Sequence, residues 1–292
     1  MMTIKLSSKR YSDIMDFLKF RIKTKGWLSV IGSFLHYYAD VSNVFYLDRL
    51  LKLGKKDEMK LFDKICIQTQ TECNYNCSFC PNKKIDRPHG IMKISLYRKI
   101  IDELHDLKFS GVIYPYIQEP LLDDRIVDLC FYASWKCPNA LVNFETNGSL
   151  LTEELSHRLC SIRNFCMIVN DYRNGKIIEK VNSFDLNNEE RKKIILRKRS
   201  LIQKLTNRAG NIGEPIKLNN FCNLPFVEFY IAYDGKVLLC CQDWKHEEIM
   251  GDLNENTIQE IWNNEKYQEF RKNLLKLNRI GLCSKCDYWG LE

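Results

Sequence analysis

The chain has 292 residues, 45% of them hydrophobic and 28% charged, with a net charge of +7. That balance builds a sizeable soluble core and excludes disordered, collagen-like and coiled-coil chains. No run reaches the roughly 20 apolar residues of a membrane-spanning helix, and the polar stretch Met1–Arg10 is not followed by the apolar segment of a secretory signal, so a cytoplasmic location is expected.

Residues 1–60 carry twelve Lys or Arg against six Asp or Glu, so most of the net charge sits in this one segment. Aromatics (Trp27, Phe34, Tyr37, Tyr38, Phe45, Tyr46) and aliphatics alternate at roughly helical spacing after the basic stretch 19–25. The segment reads as a basic helical extension. Either it packs across one end of the main domain, or its amphipathic surface meets anionic lipid or an acidic partner. Nucleic acid is the weaker expectation, because no basic and aromatic stripe continues into the rest of the chain.

Residues 61–215 alternate short strands and helices. Strands are predicted at Lys64–Thr69, Gly111–Ile117, Ala140–Glu145 and Phe165–Val169, with a short one at Ile194–Leu196. Helices are predicted at Leu96–Leu107, Asp124–Trp135 and Thr152–Ile162, the last with Thr152 as N-cap and a capping-box pattern in its first turn. Repeated βα units argue for an α/β fold with a parallel sheet, open or curled into a barrel. Residues 216–292 differ. Strands at Val227–Ala232 and Lys236–Cys241 flank Asp234-Gly235, a hairpin signal, and amphipathic helix follows over Thr257–Leu277.

Thirteen cysteines in such a chain point to metal rather than disulfides. Cys66, Cys130, Cys137, Cys160 and Cys166 stand singly in apolar surroundings and are expected as buried core thiols. The others cluster. Cys73, Cys77 and Cys80 form a Cys-x3-Cys-x2-Cys loop directly after a predicted strand. Three thiolates hold three irons of a cubane and leave the fourth open, whereas a structural zinc wants four protein ligands. Cys222, Cys240, Cys283 and Cys286 frame the hairpin and helix; their spacing alone fits either zinc or a cluster.

Strand, three-cysteine loop and repeated βα units together resemble the radical S-adenosylmethionine (SAM) enzymes. The resemblance implies a partial (β/α)6 TIM barrel, with a [4Fe–4S] cluster at the rim where loops after the strands converge. It also implies that SAM chelates the open iron and is cleaved to a 5′-deoxyadenosyl radical that abstracts a substrate hydrogen. Three further stretches match the family's SAM contacts. Glu119-Pro120-Leu121 follows the second strand, with Gln118 where a glycine is usual, and Glu119 is an acceptor suited to the SAM ammonium. Thr146-Asn147-Gly148 follows the third strand, placing Thr146 and Asn147 by the ribose or carboxylate. Asn170 ends the fourth strand, and Phe79 between the cluster cysteines is placed by the adenine.

The four later cysteines, in their order behind such a core, resemble the twitch domain, a shortened SPASM domain with one auxiliary [4Fe–4S] cluster. Cys241 is the spare, expected as a packing residue. Four thiolates saturate a cluster, which then moves electrons and points to an overall two-electron oxidation. Within the family the chain resembles the 2-deoxy-scyllo-inosamine dehydrogenases of butirosin biosynthesis, which oxidise a secondary alcohol of an aminocyclitol. Residues 206–210 match a stretch there whose arginine faces substrate, so Arg208 is expected to orient a hydroxyl or an anion, the guanidinium being too basic for ready deprotonation. Ile117 stands where those enzymes have tyrosine, and Gln242 and Cys66 where they have acidic groups. Gln242 and Asp243 are expected to face the pocket, Asp243 as an acid–base candidate. The resemblance further implies a flavodoxin- or ferredoxin-type electron donor. Two other functions stand beside alcohol oxidation: maturation of a ribosomally made precursor peptide, and a zinc protein whose basic N-terminal region binds nucleic acid or membrane.

Overall fold

The computed structural model describes residues 61–115, 118–199, 206–214 and 218–288. The expectations for residues 1–60 and for Ile117 lie outside the described residues. Four βα steps and a fifth strand run in chain order: β1 (Lys64–Ile67), α1 (Ile94–Asp106), β2 (Val112–Pro115), α2 (Ile126–Lys136), β3 (Leu141–Thr146), α3 (Glu153–Cys160), β4 (Phe165–Asp171), α4 (Lys176–Asn182), α5 (Asn188–Lys192) and β5 (Ile194–Lys198). The charged stretch after β4 thus resolves into two short helices and a strand. Each of these strands pairs in parallel with the next.

After α6 (Leu224–Val227), the strand β6 (Glu228–Ile231) does not follow β5. It lies parallel to β1 on the side away from β2, with Lys64 opposite Glu228 and Cys66 opposite Tyr230. It then turns into β7 (Lys236–Leu238), and β8 (Ile249–Asp252) extends the sheet antiparallel to β7. Hairpin patterning in the sequence reveals β6's partner on one side only. Its parallel bond to β1 is a long-range pairing that no local pattern carries. The sheet order is β5-β4-β3-β2-β1-β6-β7-β8, an open α/β partial barrel continued by the C-terminal hairpin. Helices α7 (Ile258–Trp262) and α8 (Glu265–Leu275) close the C-terminal part.

Burial explains why these elements hold. Ile65, Cys66 and Ile67 are at most 1% exposed, as a strand covered on both faces requires. Helix α1 buries Leu96, Tyr97, Ile100, Ile101 and Leu104, one helical face. Each such side chain contributes roughly 1.5–3 kcal/mol. Phe62 stacks on Phe229 at 4.9 Å and meets Trp262 edge-on at 5.3 Å, joining β6 to α7. Thr152 does cap α3, accepting from the Leu155 amide at 3.1 Å. The reciprocal bond expected there does not form, because position N3 is Leu155; full capping boxes occur instead at Asn187–Glu190 and Thr257–Glu260. Gly235 turns the β6–β7 hairpin at φ 94°, and a Cβ there would stand 2.6 Å from the Asn254 amide. Of the five single cysteines, Cys66, Cys130, Cys137 and Cys160 are buried; Cys166 is only half-buried and accepts from Asn143 Nδ2 at 2.9 Å.

Candidate active site

The three-cysteine loop leaves the C-terminal end of β1 and is clasped at its base. Arg87 donates through Nη2 to the Thr71 carbonyl and to Asn82 Oδ1, and Gly90 N–H donates to Thr71 Oγ1 at 3.0 Å. Cys73, Cys77 and Cys80 are half-buried. Burial pushes the Cys73 thiol up, and burial with the neighbouring Cys80 and Cys73 charges lifts Cys77 to about 11. The thiols therefore feel one another electrostatically. Each must lose its proton to bind a metal.

The residues expected around SAM converge at the adjoining strand ends. Glu119, at the end of the β2 segment, is 2% exposed, and its carboxylate joins that end to β3. Oε1 accepts from Thr146 Oγ1 at 2.6 Å and from the Leu121 amide at 3.1 Å; Oε2 accepts from the Asn147 amide at 2.8 Å. Burial raises its pKa, and these three bonds oppose that shift. Oε2 keeps acceptor capacity. Asn147 Nδ2 donates to Asn74 Oδ1 at 2.8 Å, so β3 also holds the cysteine loop. Phe79 rests against Tyr172 at 5.4 Å between ring centres, and Tyr172 lies close enough to feel Cys77 and Cys80. Asn170 is 3% exposed, with Nδ2 donating to Glu145 Oε2 at 2.7 Å and Oδ1 accepting from Arg199 Nε at 2.8 Å. Glu145 and Arg199 were not among the expected site residues; Glu145 opens the motif at the end of β3 and was legible there.

The second set is built differently. Cys222 precedes α6, Cys240 follows β7, and Cys283 and Cys286 share the last turn; all four are buried. Burial first, then mutual charge, lifts Cys283 to about 12 and raises Cys222 and Cys240. Beside them Arg279, 6% exposed, donates to the carbonyls of Asn220 (3.1 Å), Cys286 (2.9 Å) and Tyr288 (2.6 Å). Its positive charge offsets the rise at Cys222, Cys283 and Cys286. The Tyr288 amide donates to Cys286 Sγ at 3.4 Å. Four buried thiols with a buried cation and an amide donor form a donor set that suits an anionic iron–sulfur cluster. Among the described residues, no three His, Cys, Asp or Glu side chains gather tightly enough for a single metal ion. Arg279 escaped the sequence reading, since an isolated arginine four residues before a cysteine carries no pattern.

Residues 207–210 are fastened to this set. Asn207 N–H donates to Asp287 Oδ1 at 2.6 Å, and Asn207 Nδ2 to the Lys285 carbonyl at 2.9 Å. Arg208 and Ala209 then adopt φ of 51° and 52°, a left-handed bend that only this clamping sustains in non-glycine residues. The Arg208 charge reaches Cys241, and its buried Nε has no hydrogen-bond partner. Gln242 is 2% exposed, accepts from Thr206 Oγ1 at 3.1 Å and donates to Cys241 Sγ at 3.3 Å. Asp243 lies beside a cleft but spends both oxygens on the loop that follows, accepting from the amides of Glu247 (2.8 Å) and Glu248 (2.9 Å). Burial raises its pKa.

Cys240 of the second set lines that cleft. Arg87, from the base of the first loop, lines it too and lies close enough to feel Cys80. One wall of this cleft thus carries Cys240 of the second set, and another carries Arg87, a neighbour of Cys80 in the first.

The radical SAM superfamily model matches residues 67–198, and the SPASM iron–sulfur cluster-binding domain matches residues 222–287. The S-adenosyl-L-methionine-dependent 2-deoxy-scyllo-inosamine dehydrogenase of Niallia circulans is 30% identical over 235 residues, 78% of this chain and 94% of that protein. A crystal structure of BtrN in complex with AdoMet and 2-DOIA superposes with a TM-score of 0.71 at 29% identity, covering 79% of this chain and 94% of that one. Streptococcus suis SuiB bound to precursor peptide SuiA shares the fold alone, with a TM-score of 0.53, 13% identity and coverage of 77% and 70%. No helix among the described residues is long and apolar enough to cross a membrane. With the two cysteine sets, the barrel and these relatives in agreement, the chain belongs to the radical SAM superfamily, as an oxidoreductase whose cofactors are SAM and two iron–sulfur clusters.

Proposed function

We propose that this chain is a dehydrogenase that oxidises a secondary alcohol of a small polyhydroxylated metabolite. The observation that carries this reading is a cleft with Cys240 on one wall and Arg87, near Cys80, on another. A substrate seated there lies between a radical-generating centre and an electron-accepting one. Cys73, Cys77 and Cys80 are assigned to the SAM-binding [4Fe–4S] cluster, and Cys222, Cys240, Cys283 and Cys286 to the auxiliary one. Bound there, the first cluster would supply low-potential electron transfer to SAM, and the second would supply an electron acceptor for the oxidation.

The remaining residues position and exclude. Glu119, Thr146 and Asn147 fix the strand ends that would hold the SAM amino-acid moiety, and Phe79 with Tyr172 would form an aromatic wall for the adenine. Asn170, held by Glu145 and Arg199, presents a fixed amide at the end of β4. Arg208 Nε–H has no partner, and Gln242, locked by Thr206 and Cys241, lies in the chain between the lining residues Cys241 and Asp243; neither Arg208 nor Gln242 lines the cleft itself. Asp243 braces the wall that follows Cys240. A low-potential one-electron donor of flavodoxin or ferredoxin type is the partner such chemistry requires, and oxygen-sensitive clusters suit a cytoplasmic setting.

The test is anaerobic reconstitution with iron and sulfide, followed by SAM, dithionite and a polyol panel. About eight irons per chain, 5′-deoxyadenosine, and a carbonyl product in equal amount are expected. Deoxyadenosine without any carbonyl product would overturn the dehydrogenase reading. Zinc in place of iron, with no SAM cleavage, would overturn all of it.

A further inference from the structure

The cleft is lined by buried nitrogens that lack partners. Arg87 Nε, Gln118 Nε2, Trp244 Nε1 and His246 Nδ1 all border it, and none has a hydrogen-bond partner. Arg87 is 5% exposed and Gln118 9%, so neither is served by bulk water. A buried polar atom left unmade is costly, and unpaired donors that converge on a cavity mark the place where a ligand supplies the acceptors.

The chemistry of these atoms is one-sided. Arg87, Gln118 and Trp244 present N–H groups that only donate. The Gln118 amide is oriented by Gln68, whose Nε2 donates to Gln118 Oε1 at 2.9 Å, which turns the Gln118 NH2 away from that bond. Arg87 stands over the Trp244 ring at 5.7 Å, so the two donors are neighbours. His246 is held toward its neutral form by burial, with the Arg87 and Lys236 charges adding to that and Asp234 opposing it. The one carboxylate on the cleft wall, Asp243, already accepts from two amides. Among the described residues, Arg87 makes no ion pair with a carboxylate, and neither does Arg208 near Cys241. The unpartnered donors on the cleft wall therefore outnumber the acceptors left open to an ammonium group.

Resting on the dehydrogenase reading, we infer that the polyol substrate carries an anionic group, a carboxylate or a phosphate ester, which docks on Arg87, Gln118 and Trp244. An aminocyclitol, with its cationic nitrogen, does not match these donors.

The test is anaerobic calorimetric titration of the reconstituted, SAM-loaded enzyme with four compounds: myo-inositol 1-phosphate, glucuronate, myo-inositol and 2-deoxy-scyllo-inosamine. At least one anion is expected to bind about tenfold or more tightly than the neutral polyol and the amine, as hydrogen bonds to a charged group allow. The phosphate and carboxylate arms show which anion the cleft takes. Trp244→Phe keeps the ring and removes one N–H; it is expected to weaken the anion about threefold to tenfold and leave the neutral polyol unchanged. Arg87→Gln should erase the preference altogether, and Arg87→Lys should restore part of it, which separates charge from folding. An equal or greater affinity for the amine, no measurable anion binding, or an anion preference that survives both Trp244→Phe and Arg87→Gln would overturn the inference. The same preparation assayed for deoxyadenosine and carbonyl product keeps the two ideas apart: turnover without anion preference sinks only the substrate class, whereas absent turnover sinks the functional reading.

Discussion

The two cysteine sets differ in how much of the fold each depends on. Cys73, Cys77 and Cys80 belong to one short loop and are half-buried, and the loop is tied to β3 through Asn74 and Asn147. Cys222, Cys240, Cys283 and Cys286 come from three separate places in the chain and are buried around Arg279. A local loop braced by protein hydrogen bonds depends less on metal for its shape, and three thiols leave a coordination position for a small molecule. A set assembled from distant segments gains its order from closure, and four buried thiols without metal leave a core that packs poorly. On the proposed reading the first set suits exchange with a cofactor, and the second permanence.

The largest effect should come from emptying the first set. Cys73→Ala, Cys77→Ala and Cys80→Ala together are expected to abolish SAM cleavage while about four irons per chain remain. The fold should hold, with little change in the thermal midpoint, because the loop is braced from its base by Arg87 and Gly90. Equal loss of iron from both sites would show that the sets are not independent and would break the comparison at once.

Emptying the second set should have the opposite profile. Cys240→Ala removes a buried ligand that follows β7 and is expected to lower iron to about four per chain, with SAM cleavage retained and the carbonyl product lost. Because this set joins distant segments, hydrogen exchange should rise across residues 206–214 and 218–288 and stay unchanged over β1 to β5. Unaltered exchange in the C-terminal part would mean that the cysteines are bystanders to its packing.

Much of this contrast was legible in the sequence, for a physical reason. Metal ligands within a loop must lie at fixed spacings, so Cys73-x3-Cys77-x2-Cys80 announces itself, and Thr146-Asn147 follows a strand whose pattern is equally local. What escaped were single residues made important by distant neighbours. Arg87 and Trp244 are 157 positions apart and meet only because β7 is carried to β1 by β6. The pairing of β6 with β1 escaped for the same reason. Gln118 did leave a trace, as a departure from the glycine usual at that turn, and the structure gives it an unpaired donor in the cleft.

A smaller effect is expected at Glu119, on the barrel side of the comparison. Its carboxylate accepts from Thr146 Oγ1 and the Leu121 and Asn147 amides, so Glu119→Gln turns an NH2 toward donors and should cost about 1–3 kcal/mol in urea unfolding. The KM for SAM should rise with it. The sign of the pH dependence follows from burial, which raises this carboxyl's pKa. A group that holds its proton more tightly when folded stabilises the fold fully below its unfolded pKa and loses that contribution as pH rises through the folded value. Stability should thus decline as pH climbs through and just above the usual carboxylate range, and Glu119→Gln should flatten that segment of the profile.

The finest test concerns the cation that sits beside the second set. Arg279 is buried, and its three bonds to the carbonyls of Asn220, Cys286 and Tyr288 hold the last turn closed. A fixed positive charge favours the reduced, more negative state of a neighbouring cluster, so it raises the reduction potential. An electron acceptor benefits from that. Arg279→Gln should lower the midpoint potential of the auxiliary cluster by an amount on the order of tens of millivolts, read by redox titration with paramagnetic resonance. Arg279→Lys keeps the charge but loses the planar fork that reaches three carbonyls at once. It should preserve most of the potential while lowering thermal stability. If both variants shift the potential equally, the arginine acts through the shape of the Cys283–Cys286 turn; if only the glutamine variant does, it acts through charge, and the auxiliary site is poised electrostatically to accept.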